Sequence, residues 1–387
     1  MAKPTLIEWQ LPGDNADLAE MRRRLRATRY PSSTCEGWSR GTDVDYLRGF
    51  AAWLADDYDW ESDRQRFGGE HFMVHPDGPG SPGIHVNFPL GRMADCQPLV
   101  LLHGWPSSGF EFVHVIKHLT GPAGKPQFCP VLVDLPGFGF SDPTPAPTGP
   151  RAIAGLVTRA LTGGLGLEDM IVHGNDWGST VASWMAIDAP SSLVAIHMSM
   201  MGMKPGFSGG APKPTDAEMA WIKTVQKRLA ADAGYREMQG TKPNTAAIGL
   251  ADSPAALSAW VIEKFHGWSG AADTADPPVA RDDLAAIVTS YWLSGNIASA
   301  NWIYAAVHTH DDTGAPAGGT GDVPVGFSFF DNGFFPAPPE SWARRIHNVS
   351  TYRLHDSGGH YPALIRPAAL AADLLDFASA NGGQDMT

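Results

Sequence analysis

The stretch "IVHGNDWGSTVASW", residues 171–184, decides how this chain is read. An apolar run enters a turn flanked by Gly174 and Gly178 and leaves it in a pattern that continues as a helix. A strand that bends sharply into a helix lifts one side chain into the open, and small flanking residues let the backbone make the strained turn. The side chain at the tip is Asp176, where a serine nucleophile would often stand. A serine needs a base to take its proton, but an aspartate of ordinary pKa, about 3.9, is already ionised at neutral pH. Read alone, Asp176 is equally a residue that caps the following helix.

Outward from this turn, further apolar runs end in glycine-rich loops. "PLVLLHG" at 98–104, "FCPVLVDLPGFGFS" at 128–141 and "SLVAIHMSM" at 192–200 alternate with helical patterns. That alternation predicts an α/β fold, a mostly parallel sheet with helices on both faces. Reactive groups in such sheets sit at the carboxyl ends of strands, where His103, Asp134, Asp176 and Met198 fall. Ahead of the sheet, residues 17–29 and 43–57 have helical periodicity, with Thr42 or Asp43 as a cap, and "HFMVH" and "GIHVNF" read as a strand pair. From about Pro205 to about Gly321 the pattern turns to Trp- and Ala-rich helices, a lid insertion, before "VPVGFSFF" and "VSTYRLHDSGGH" resume the sheet. The expected organisation is an N-terminal extension with first strands over 1–95, core over 96–204, helical lid over 205–320 and core again over 321–387.

Carboxylate attack on an ester only exchanges one acyl link for another. Attack on an alkyl carbon makes an ester of the enzyme that water can cleave, so the leaving group suited to Asp176 is an epoxide oxygen or a halide. "HDSGGHYPAL" puts His360 in a glycine-rich loop near the C-terminus, in the chain order nucleophile, acid, histidine of α/β-hydrolases. His360 is the expected general base for water, with an intrinsic pKa near 6.5. "LLHGWPSS" offers the backbone N–H of Trp105, which with that of Trp177 would hold an oxyanion; a His-Gly turn also serves structure alone.

Several segments together resemble the microsomal-type epoxide hydrolases: HGWP at 103–106, "DLPGFGFSD" at 134–142, the Asp-Trp-Gly turn, "TKPNTAAIGLADSPAALSAWVIEKFHGW" at 241–268, "YWLSG" at 291–295, "VPVGFSFF" at 323–330 and "GGHYPAL" at 358–364. "GTDVDYLRGFAAWLADDYDW" at 41–60 resembles the extra N-terminal region of that branch. The resemblance implies the α/β-hydrolase fold and two lid tyrosines that protonate the epoxide oxygen, matching Tyr235 and Tyr304; without it, either is a packing residue. It also implies an acid that orients the base, and here the pattern fails, since Gly333 stands at that position. Asp331, two residues earlier in "FSFFDNGFFP", is the expected substitute, with Asn332, an acid from elsewhere, or none as alternatives.

The activity expected is opening of an apolar or aromatic epoxide to a vicinal diol, with substrate and water as partners and neither metal nor organic cofactor. Trp105, Trp177, Met198 and Phe138 are candidate substrate contacts; the methionines of "HMSMMGM" fit core packing equally. "HTHDD" at 308–312 reads as a loop rather than a metal site. A haloalkane dehalogenase shares the Asp-Trp-Gly turn, but HGWP and the tyrosines count against it. The rival of another class is a degenerate homologue that binds a small molecule without turning it over.

Bulk properties fit an enzyme of this kind. The 387 residues carry 43% hydrophobic and 18% charged side chains, an ordinary globular balance. A formal charge of -13 argues against nucleic acid. The basic run "MRRRLRATRY" alternates with Leu18, Met21 and Leu25 as a solvated helix face does. Cys35, Cys96 and Cys129 match no metal or redox spacing and predict unpaired cysteines in a reducing compartment. With no apolar signal core in the first 18 residues and no run approaching about 20 apolar residues, a soluble cytoplasmic protein is expected. The N-terminal region leaves a homo-oligomer possible.

Overall fold

The computed structural model describes residues 3–92, 96–119, 128–206, 212–331 and 335–381. Nine strands among them form one sheet: β1 (Thr5–Trp9), β2 (Glu70–His75), β3 (Ile84–Phe88), β4 (Gln97–Leu102), β5 (Phe128–Val133), β6 (Met170–Gly174), β7 (Leu193–Met198), β8 (Pro324–Phe330) and β9 (Asn348–His355). Their order is β1-β2-β3-β5-β4-β6-β7-β8-β9. The first three pair antiparallel and the rest, from β5 across to β9, pair parallel. β5 and β6 flank β4 on opposite sides, so the connections diverge at β4 and leave a crevice at the carboxyl ends of β4 and β6.

The strand sequences explain their positions. Every residue of β5 and β6 is buried, as continuous apolar runs must be when helices cover both faces. The apolar β6 then feeds directly into the helix Trp177–Asp188. The helix Ala16–Arg26 buries Leu18, Met21 and Leu25, while Arg23 and Arg24 reach Glu20 on the outer side. Asn15 caps that helix by accepting from the N–H groups of Asp17 and Leu18, worth about 1 kcal/mol. Asp43, rather than Thr42, caps the next helix, Val44–Asp56. Strand β1 and the helix Trp60–Phe67 are additions that the periodicity did not suggest.

Between β7 and β8 the helices Asp216–Ala231, Gly234–Thr241, Pro243–Asp252, Pro254–Gly267, Arg281–Ser294 and Trp302–Thr309 follow one another. Thr215 and Glu218 close a capping box at the first of them, and Arg345 pairs with the buried Glu218, tying this helix to the chain just ahead of β9. No single helix among the described residues is long and apolar enough to cross a membrane.

The cysteines correct the sequence reading. Cys96 and Cys129 form a disulfide with a Cα–Cα separation of 5.6 Å, and only Cys35 is free. Their pairing follows from the parallel register of β4 and β5, which sets Pro98 opposite Cys129 and so brings Cys96 alongside. A separation of 33 residues in sequence carries no trace of that register. The disulfide also removes the support that unpaired cysteines would give to a reducing compartment.

Candidate active site

Asp176 sits at the tip of the β6 turn with φ 50° and ψ -126°, a left-handed conformation that a residue with a side chain adopts at a cost of roughly 1–3 kcal/mol. Tight packing holds it there. A Cβ on Gly178 would strike the carbonyls of Leu102 and His103, and one on Gly104 would strike the Asp176 carboxylate itself. Glycine at both places lets the β4 and β6 loops close on each other. The backbone N–H of Trp105 then donates to Asp176 Oδ1 at 2.9 Å.

The β4 loop is fixed by buried polar groups. His103 Nδ1 lies 2.9 Å from the Gly104 carbonyl, and Nε2 accepts from the Leu135 N–H at 3.1 Å, a pairing that defines the neutral Nδ1–H tautomer. Burial holds its pKa below the ordinary histidine value, so His103 is committed to backbone and not to proton transfer. Asp134 accepts from the N–H groups of Gly109 and Phe140 and from His85, joining the loops after β4 and β5. Phe138 packs edge-on against the His103 ring at 5.6 Å.

His360 enters from the loop after β9. Its N–H donates to the Trp268 carbonyl at 2.9 Å, and its own carbonyl accepts from Asn175 Nδ2 at 2.8 Å. The residue beside Asp176 in sequence therefore pins the histidine loop to the turn. Nε2 of His360 lies 3.3 Å from Asp176 Oδ2. Asn175 Nδ2 also donates to Glu111 Oε1 at 3.0 Å, and burial pushes the Glu111 carboxyl up to about 7. Asp331 follows β8 with an exposed side chain; its N–H donates to the His355 carbonyl and its own carbonyl accepts from Gly359 N–H, one residue before the histidine. Asn332 and Gly333 lie outside the described residues.

The lid brings both tyrosines to this place. The Tyr235 ring stacks on Trp105 at 5.1 Å, and the Tyr304 ring stands edge-on to Trp105, Trp177 and Tyr235 at 5.7, 5.1 and 5.7 Å. Burial foremost, then the charges of Asp176 and Asp232, raise the Tyr235 pKa above the ordinary phenol value. Burial, with Tyr235 and Asp176, does the same for Tyr304. Both phenols are proton donors at neutral pH.

A cavity of about 120 Å³ opens beside His360, lined by Met200, Met201, Trp221, Phe329 and Phe335 among others. Met198 is not among its lining residues; it is fully buried, and its sulfur accepts from the Ser183 hydroxyl at 3.4 Å. A larger cavity of about 700 Å³, between β1, β2 and the helix Trp60–Phe67, shares no lining residue with the site. The smaller one meets the site through His360. Among the described residues no cluster of His, Cys, Asp and Glu could hold a metal ion.

Glu111 and Asn175 escaped the sequence reading. Asn175 had a signal, since it abuts Asp176; Glu111 in "GFEF" had none beyond its segment.

A carboxylate at a positive-φ turn between β6 and a helix, with a histidine from the last loop and a helical lid above, defines an α/β-hydrolase with an aspartate in the nucleophile position. Comparison with known proteins agrees. Residues 8–112 match the family model described as epoxide hydrolase N terminus, and residues 97–261 the alpha/beta hydrolase fold. A Stigmatella aurantiaca protein provisionally named an epoxide hydrolase is 32% identical over 370 residues, 93% of this chain and 81% of its own length. Epoxide hydrolase 1 of Oryctolagus cuniculus is 27% identical over 398 residues, 93% of this chain and 85% of its own. The structure of Aspergillus niger epoxide hydrolase matches with a TM-score of 0.81 at 25% identity, covering 97% of this chain and 96% of that one. The chain belongs to the epoxide hydrolase family.

Proposed function

We propose that the protein hydrolyses an apolar or aromatic epoxide to a vicinal diol through an ester on Asp176. The observation that carries this is the joint placement of Asp176 and His360, with Nε2 3.3 Å from Oδ2 and both side chains nearly closed to solvent. A carboxylate at that tip attacks an oxirane carbon from the face opposite the breaking carbon–oxygen bond while a lid tyrosine hands its proton to the leaving oxygen. The contacts of Tyr235 and Tyr304 with Trp105, and the Asp176 charge that both phenols feel, support that role for them. The product of this step is a hydroxyalkyl ester of Asp176.

Water completes the cycle. His360 takes its proton, the hydroxide adds to the ester carbonyl, and the oxyanion that forms is met by the Trp105 N–H already aimed at the carboxylate, with the Trp177 N–H as its expected partner. Asp331 is the carboxylate proposed to orient His360, across the backbone bond that joins its carbonyl to Gly359. The apolar lining of the cavity beside His360 suits a hydrophobic substituent on the epoxide.

Single turnover in ¹⁸O-water tests the scheme. Label is expected in the Asp176 carboxylate after one turnover, because the carbonyl carbon is the atom that water attacks. Label in the diol alone would overturn the ester route. Halide release from chloroalkanes would instead favour the dehalogenase reading.

A further inference from the structure

Lys264, in the lid helix Pro254–Gly267, has a side chain only 4% exposed. A buried ammonium needs partners, and Nζ lies 2.8 Å from Asp232 Oδ1 and 2.6 Å from Glu263 Oε2. Those two ion pairs would satisfy it anywhere. Here they hold it 4.5 Å from the centroid of the Tyr235 ring and 5.6 Å from that of Trp268. Asp232 Oδ2 also accepts from the Trp268 indole N–H at 2.9 Å, and Trp268 stands edge-on to His360 at 5.0 Å.

A cation over an aromatic face is attracted by the ring's negative face. When a phenol gives up its proton, the ring gains charge and the attraction grows. A fixed cation therefore favours the charge that develops as Tyr235 donates, and it acts in a buried setting where such interactions are weakly screened.

Resting on the Asp176 ester reading above, we propose that Lys264 is a positioning residue for ring opening, its ammonium held against Tyr235 so that this phenol donates its proton more readily to the epoxide oxygen. In that step the Asp176 oxygen bonds to the carbon, the carbon–oxygen bond breaks onto the oxygen, and the Tyr235 proton moves to it; Lys264 keeps its own protons. The hydrolytic water brings two protons: the one that His360 takes goes to the diol oxygen as it leaves the ester, and the one left on the regenerated Asp176 carboxyl returns to the phenolate. The charged and titratable groups that face Tyr235 are Asp176, Asp232, Arg236, Tyr304 and Tyr361 besides Lys264. Of these, Asp176 and then Asp232 oppose the effect, and Arg236 and the hydrogen bond from Tyr304 assist it.

The test separates the two half-reactions in rapid-quench single turnovers with styrene oxide, following ester formation and ester decay. Lys264→Met is expected to slow ester formation about tenfold, equivalent to about 1.4 kcal/mol, and to leave ester decay unchanged. Lys264→Arg is expected to restore most of the rate. In a Tyr235→Phe background Lys264→Met should have no further effect, because the coupling runs through the phenol. A wild-type rate in Lys264→Met, an equal loss in both half-reactions, or a full loss in the Tyr235→Phe background would overturn the inference. Should Lys264→Met fail to fold, Glu263→Gln decides, since it removes one counter-charge and should quicken ester formation; an unchanged or slower rate overturns it. A wild-type enzyme that forms no ester with any epoxide would refute the underlying reading first, before any variant is compared.

Discussion

The two oxygens of the Asp176 carboxylate are held by different devices: Oδ1 accepts the Trp105 N–H at 2.9 Å, and Oδ2 faces His360 Nε2 at 3.3 Å. The first orients the carboxylate from the β4 loop. The second sets the base beside the position of the ester that attack would form. Removing the base should therefore spare ring opening and stop hydrolysis. His360→Ala is expected to accumulate a covalent adduct on Asp176, seen as a mass increase equal to that of the epoxide, with ester decay reduced on the order of 10³-fold. Asp176→Asn should form no adduct at all.

The two tyrosines, on different helices, are proposed to share one task. Tyr235 stacks on Trp105 and Tyr304 stands edge-on to it, so each ring keeps its packing when the other's hydroxyl, with which it shares a hydrogen bond, is removed. Tyr235→Phe and Tyr304→Phe are each expected to slow ester formation roughly 10- to 100-fold without unfolding, and the double variant by more than either alone. Stopped-flow quenching of the tryptophans that touch both rings offers the measurement.

Asp331 is proposed to act on the other half-reaction. If its carboxylate orients His360, Asp331→Asn should lower ester decay by up to about 10⁴-fold, by analogy with a serine-protease triad, and leave ester formation alone. A variant with wild-type ester decay would pass the role to another acid, and Glu111→Gln is the comparison to make beside it.

What the sequence made legible follows from how locally each feature is specified. Asp176 sits between Gly174 and Gly178, and those three residues carry the whole turn. The strands were legible because β4, β5 and β6 are apolar runs, whereas β1 is an edge strand with Leu6 and Ile7 exposed. Tyr235 and Tyr304 could be read only through the family resemblance, since nothing around a tyrosine in a helix says which way the lid will face it. Lys264 and Glu111 were invisible for a stronger reason: charged residues look solvated in sequence, and their burial is decided by segments far away in the chain. Met198 shows the converse, because a strand end near the site can still point its side chain into the core.

Glu111 gives the pH prediction. Burial raises its pKa to about 7 in the folded protein from an ordinary 4.5, with the Asn175 amide and His360 only partly offsetting that cost. Between those two values the folded state binds more protons than the unfolded one, so stability falls as pH rises from about 4.5 to about 7 and stays lowered above it. The shift corresponds to a cost on the order of 3 kcal/mol. Glu111→Gln keeps an oxygen for the Asn175 amide and removes the charge. Its stability relative to wild type should therefore be near unchanged at pH 4.5 and higher by up to about 3 kcal/mol at pH 8, measured by urea unfolding at both. A difference that is the same at the two pH values would mean that Glu111 titrates alike in the folded and unfolded chain, and that Asn175 and His360, not a protonated carboxyl, carry the link between the nucleophile turn and the histidine loop.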